Sequence, residues 1–178
     1  VVDNKGNVYI TGTSYSGPVS CSVSSTPYSH QGYAVLVAKY NPAGALLWVQ
    51  YATSGFKKCE GISIAIDATE NVYITGYFED STITFGSTVL ANSSSTGSDA
   101  FIAKYNASGQ LVWAKGFGGS NNDLPKDILL DVNNNIYIAG NSRSISFALN
   151  SASFNNNDNT GQTSDFFVLK CNNNGVGI

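Results

Sequence analysis

Methionine is absent from this chain, histidine occurs once and cysteine three times. Charged residues are scarce too, at 12% of 178 residues, roughly half the share of an ordinary globular chain. Each shortage closes off a reading. A lone His30, with cysteines scattered at 21, 59 and 171, supplies neither a metal-ligand set nor the Ser-His-Asp and Cys-His arrangements of nucleophilic catalysis. A net charge of −3 with no basic cluster argues against a nucleic-acid partner. No apolar run approaches the roughly 18 residues of a membrane span, and no signal-peptide pattern is visible. Without methionine the chain carries no translation start of its own, which predicts a piece of a longer polypeptide.

What is present is turn-rich and apolar. Hydrophobic residues make up 42% and aromatics 12%, too much for a disordered chain, while Ser, Thr, Asn and Gly fill the polar positions. One pattern recurs three times: DNKGNVYITG from Asp3, DATENVYITG from Asp67 and DVNNNIYIAG from Asp131, each 64 residues after the last. A fixed interval of that size marks a repeat architecture in which each unit buries its apolar face on the next. The units run over about 1–64, 65–128 and 129–178 of a single segment, the last short of its Trp-bearing strand.

Within the second unit, four apolar stretches (62–66, 71–77, 100–105 and 111–117) have strand lengths and are rich in Val, Ile, Tyr, Phe and Thr. The turns agree. Asp-x-x-x-Asn joins the first stretch to the second, and NPAG, NASG and NNNG at 41–44, 106–109 and 172–175 suit a type I turn closed by a left-handed glycine. The expected fold is all-β, with four-stranded antiparallel blades of a β-propeller. About three blades make an incomplete ring, to be completed by the remaining blades of the parent chain or by a second copy.

GNVYITG, DAFIAKYNASGQLVWAKGFGGS and the D-x-x-x-D that follows resemble the SBBP type of bacterial β-propeller repeat, over essentially the whole chain. The resemblance implies a large secreted or cell-surface protein of the kind exported by a type IX pathway, and says little about function. The first unit departs from it: Ala34 stands where Asp99 and Asp165 stand later, and GFKKCEG replaces the GGSNNDLP stretch.

The recurring Asp3, Asp67 and Asp131 read as turn-holding residues rather than calcium ligands, because their loops lack alternating carboxylates. Trp48 and Trp113 read as packing between blades. Lys39, Lys104 and Lys170 recur on one strand, where long stems can lie on the sheet or line a channel for an anion. Cys59 takes the slot of Asp123 and Cys171 that of Tyr40 and Tyr105, and a Cys21–Cys59 disulfide stays open. Glu79 with Asp80, and Asp123 with Asp127, are sequence neighbours and poor candidates for a carboxylate pair across a cleft.

The divergent stretches 13–32, 77–98 and 141–164 are the places for specificity on a rigid scaffold. Each holds a short alternating piece (Val19/Cys21, Ile83/Phe85, Ile145/Phe147) expected to add an edge strand or a flap. The expected function is a non-enzymatic extracellular structural or adhesive module presenting rim loops to a protein or surface glycan. Tyr15, Tyr28, Phe78 and Phe154 are the candidate contacts, with no catalytic, metal or cofactor residue. The alternatives are a carbohydrate-binding module and a piece of a propeller polysaccharide-degrading enzyme.

Overall fold

The computed structural model describes residues 1–19, 28–150, 152–158 and 160–178. In chain order the strands are β1 (Val8–Val19), β2 (Tyr28–Tyr40), β3 (Leu46–Ser54), β4 (Cys59–Ile66), β5 (Val72–Phe78), β6 (Thr82–Phe85) and β7 (Thr88–Ala91). They continue with β8 (Asp99–Tyr105), β9 (Leu111–Phe117), β10 (Asp123–Leu130), β11 (Ile136–Ser142), β12 (Ser146–Leu149), β13 (Ala152–Asn155) and β14 (Asp165–Cys171). Every pairing is antiparallel, and no helix occurs among the described residues. The fold is all-β, as expected.

The strands form a five-stranded sheet β1-β2-β3-β6-β7, a four-stranded sheet β4-β5-β8-β9, a three-stranded sheet β10-β11-β14 and a separate ribbon β12-β13. The second sheet is the meander read from the alternating stretches, with Ile64 opposite Ile74, Ile74 opposite Ala103 and Ala103 opposite Ala114. The piece around Ile83 and Phe85 does not stay with it. It crosses to the first sheet, where Ala52 pairs with Phe85 and Ser54 with Ile83, and so covers the outer edge of β3. Residues 64/65 and 128/129 fall inside β4 and β10, so the sheets are phased several residues ahead of the sequence units.

The turns form as their residues require. The amides of Gly44, Gly109 and Gly175 donate to the carbonyls of Asn41, Asn106 and Asn172 at 2.9 Å, with each glycine at φ between 68° and 80°. A bulge recurs just beyond two of these turns, opposite Lys39/Tyr40 and Lys104/Tyr105, and it turns Leu47 and Val112 out to solvent.

Two apolar layers lie between sheets. Tyr9, Val35, Val37 and Ala52 of the first sheet meet Val72, Ile74, Phe101 and Ala103 of the second. The other face of the second sheet, with Tyr73, Ala100 and Ile102, meets Ile128, Ile136, Ile138 and Phe167 of the third. Period-two alternation therefore buries β8 on both faces, and all of its residues are inaccessible. The tryptophans pack from one unit onto the next: the Trp48 ring lies on Gly109 and its indole N–H donates to the Ala107 carbonyl at 3.1 Å, while the Trp113 ring lies on Gly175.

Gly44 and Gly109 share the same left-handed φ (79° and 80°), but a Cβ on Gly44 meets nothing within 4 Å whereas one on Gly109 lands 2.6 Å from the Trp48 ring. Gly44→Ala is expected to cost about 1–2 kcal/mol of backbone strain. Gly109→Ala should cost about 1–3 kcal/mol more from overpacking. Urea midpoints of the two variants check this, and equal losses would remove the ring contact from the account.

Candidate functional site

Each sheet has the same polar cluster at one end. The Asp3 carboxylate accepts from the backbone amides of Lys5 and Asn7 (both 2.9 Å), from the Asn7 side chain at 2.8 Å and from the Tyr9 hydroxyl at 3.0 Å. Asp67 is held in the same way by Thr69, Asn71 and Tyr73, and Asp131 by Asn133, Asn135 and Tyr137. Burial works against the charge at Asp3, yet these donors outweigh it and bring the carboxyl down to about 2. At Asp131 the Asn135 side chain is the largest influence, and the carboxyl again lies below the usual range. These oxygens are occupied by turn donors.

Over each of those tyrosines lies a lysine: Lys39 at 5.0 Å from the Tyr9 centroid, Lys104 at 5.0 Å from Tyr73 and Lys170 at 5.5 Å from Tyr137. Lys39 and Lys104 are buried. Lys39 donates to Glu70 at 2.7 Å, an acid that also pairs with Lys5, and Lys104 donates to Asn173. The lysines at these two positions are therefore spent on joining one sheet to the next, not on lining a channel.

At the opposite end lies an open aromatic and polar rim. Tyr15 is 62% exposed and rests on Tyr33 with ring centroids 4.6 Å apart. The Tyr33 amide donates to the Gly55 carbonyl at 3.1 Å, which brings the next residue, Phe56, to the same rim at 77% exposure. Asp80 pins that turn by accepting the Phe56 amide at 3.1 Å and the Lys57 amide at 3.4 Å. Beside it opens a cleft of about 440 Å³ lined by Lys57, Glu79, Asp80 and residues 92–95. Asn92 pegs the cleft wall, its amide reaching the carbonyls of Phe78, Asp80 and Gly97 at 3.1–3.3 Å.

The four aromatic contacts expected from the sequence do not come together there. Tyr15 does reach the rim. Tyr28 begins β2, and its side chain lies outside the described residues. Phe78 is fully buried in the first apolar layer, because β5 lies in the sheet covered on both sides. Phe154 is half-buried and stacks on Phe147 at 5.0 Å, since the alternation of β12-β13 turns their rings toward Phe167. Phe78 is a core residue and Phe154 packs half-buried against the core. His30, alone in the sequence, lies half-buried in β2, with Nε2 2.9 Å from the Ser14 hydroxyl. Cys21 lies outside the described residues, and Cys59 is a buried free thiol whose burial pushes it up to about 12.

Phe56 was missed. Its only signal is an aromatic residue in GFKKCEG, a charged, glycine-led turn where a core residue would have no strand to sit on.

Residues 112–147 match the model of the SBBP family, a β-propeller repeat. The matched stretch runs from β9 through β11 into β12, across the junction between the second and third sheets. The chain is also similar to an uncharacterized WD repeat-containing protein of Acanthamoeba polyphaga mimivirus, at 32% identity over 116 residues. That similarity covers 60% of this chain and 8% of the viral protein.

Asp67→Asn keeps one acceptor and leaves the Asn71 side-chain amide short of its partner, while the Tyr73 hydroxyl retains Asn173 Oδ1 at 2.7 Å. The expected loss is about 1–3 kcal/mol at neutral pH. Asp67 is held below the ordinary carboxylate value, donors from Asn71, Thr69 and Tyr73 outweighing its burial. Its contribution is thus present above the unfolded value and fades as pH falls through the folded one. Melting temperature against pH should accordingly show a shallower acid limb in Asp67→Asn, and an unchanged limb would count against the turn role.

Proposed function

We propose that this chain is a non-catalytic, extracellular propeller module whose rim docks a protein partner. The observation that carries the reading is the exposed pair of aromatic platforms, Phe56 and the Tyr15–Tyr33 stack, beside a polar cleft. Large rings held by a rigid sheet lose little entropy when covered, and such residues dominate protein interfaces. Propeller repeats and a WD repeat-containing relative fit a scaffold for protein interaction. The low charge and abundant Ser, Thr and Asn support the extracellular placement.

A photo-crosslinking residue in place of Phe56, set against the same residue in place of Val132 (99% exposed, in the turn after β10), tests this on the surface of cells that make the protein. A discrete protein adduct from position 56 that disappears with Tyr15→Ala is expected. Identical adducts from both positions, or adducts only with glycan, would sink the reading.

The outer sheets offer a second contact. Phe166 and Val168 on β14 are 65% and 58% exposed, whereas the matching Ala100 and Ile102 of β8 are buried under the third sheet. A further sheet of this kind, from the remaining blades or from a second copy, suits that face. Light scattering on the 178-residue chain is expected to show association that Phe166→Ser with Val168→Ser abolishes. A monomer unaffected by the double change, with the faces still open, would leave the second copy out of account.

A further inference from the structure

The two junctions between sheets share their lysine-over-tyrosine and tryptophan-on-glycine contacts but carry different residues at one buried place. In the first sheet Ala34 lies opposite Thr53, and Cys59 opens the next sheet. At the corresponding places in the second junction stand Asp99, Gly118 and Asp123. Two carboxyl groups thus replace a methyl and a thiol, and both are out of reach of solvent, at 1% and 0% exposure.

The glycine makes room for them. A Cβ on Gly118 would come within 2.3 Å of Asp99 Oδ1 and 3.0 Å of Asp123 Oδ2, so the two carboxyls crowd over the same backbone atom. Their hydrogen bonding is unequal. Asp123 is fully served: Oδ1 accepts the Ser142 hydroxyl, and Oδ2 accepts the Ser144 hydroxyl and the Gly119 amide, both at 2.8 Å. Asp99 Oδ2 accepts the Ser93 amide at 2.7 Å, while Oδ1 is buried without any partner.

An acceptor left bare beside a carboxylate that already has its donors is the wrong arrangement for two anions. It suits one acid and one anion, with the proton on Asp99 Oδ1 and Asp123 as the stabilised charge. We propose that Asp99 and Asp123 share a single proton, which makes the junction of the second and third sheets a pH-sensitive clasp.

Among the described residues no cation is ion-paired with either carboxyl, and Lys57, Glu79 and Asp80 line the open cleft that Ser93 shares. Arg143, Lys126 and Asp127 are exposed, Lys104 lies over Tyr73 and Lys115 lies over Trp113. Burial pushes both carboxyls above the usual range, and the charge of Asp123 pushes Asp99 further. The folded chain therefore holds a proton that the unfolded chain releases near pH 4. Stability is full below that pH and declines as pH rises toward the folded value, where the junction loses its proton and two buried anions face each other.

Asp99→Asn tests the clasp because its amide donates to Asp123 at every pH. Through the interval where the proton is held, the folding constant of the unmodified chain is expected to fall up to about tenfold per pH unit relative to Asp99→Asn. The infrared carbonyl stretch of a protonated carboxyl should persist in the folded, unmodified chain at pH values where exposed carboxyls are already ionised, and be missing from Asp99→Asn, a readout that needs no change in stability. Parallel stability curves, or no such band at any pH, would overturn the proposal. A stabilisation by calcium at neutral pH that vanishes in Asp99→Asn would overturn it in favour of a metal ion.

Discussion

Each sheet must lie broad face against the next, and that demand governs the rest of the molecule. A strand such as β8 has no solvent side, so apolar residues fill most of both faces, and the polar groups among them are held by partners, with Asp99 Oδ1 the exception. Lys104 shows the rule at work: it is buried over Tyr73, whose hydroxyl is in turn held by Asp67. The polar clusters at the sheet ends are what lets lysine, tyrosine and aspartate share a dry boundary. The same boundary accepts the Trp48 indole because a carbonyl of the neighbouring turn waits for its N–H.

Much of this was legible from the residues. Alternation in 100–105 with a closing Asn-Ala-Ser-Gly turn leaves little choice but β8, a tight turn and β9. The turn role of Asp67 was legible too, because a carboxylate two to four residues ahead of free amides has an obvious use. Strand partners across units were not. Nothing local in Ile83 and Phe85 says that they pair with Ala52 and Ser54 of the previous sheet, since that choice depends on which edge is vacant in space.

The rim was half legible for a related reason. Phe78 and Phe154 lie in stretches full of Ser, Thr and Asn, and such composition reads as surface. Burial is decided by the face a strand presents, and a four-residue strand such as β12 or β13 is too short to announce its face in the sequence. Phe56 escaped notice in reverse, as an apolar residue in a turn with charged neighbours. The difference between the two junctions was visible as residue types, Ala34 and Cys59 against Asp99 and Asp123. That the two acids meet over one glycine is a fact of register between sheets.

The crossing of β6 and β7 onto β3 lays the second unit over the first like a roof tile. A tile cannot be lifted without exposing the one beneath. Opening the second unit strips the cover from β3 and leaves a bare row of backbone donors and acceptors on its neighbour, so damage in one unit becomes a hazard for the unit before it. Swapping, deleting or duplicating units along the 64-residue boundaries of the sequence would cut β4 and β10 in two and part β6 from the strand it protects. In a chain assembled this way, the segment that evolution or an engineer could shuffle intact is offset from the one that the eye picks out of the sequence.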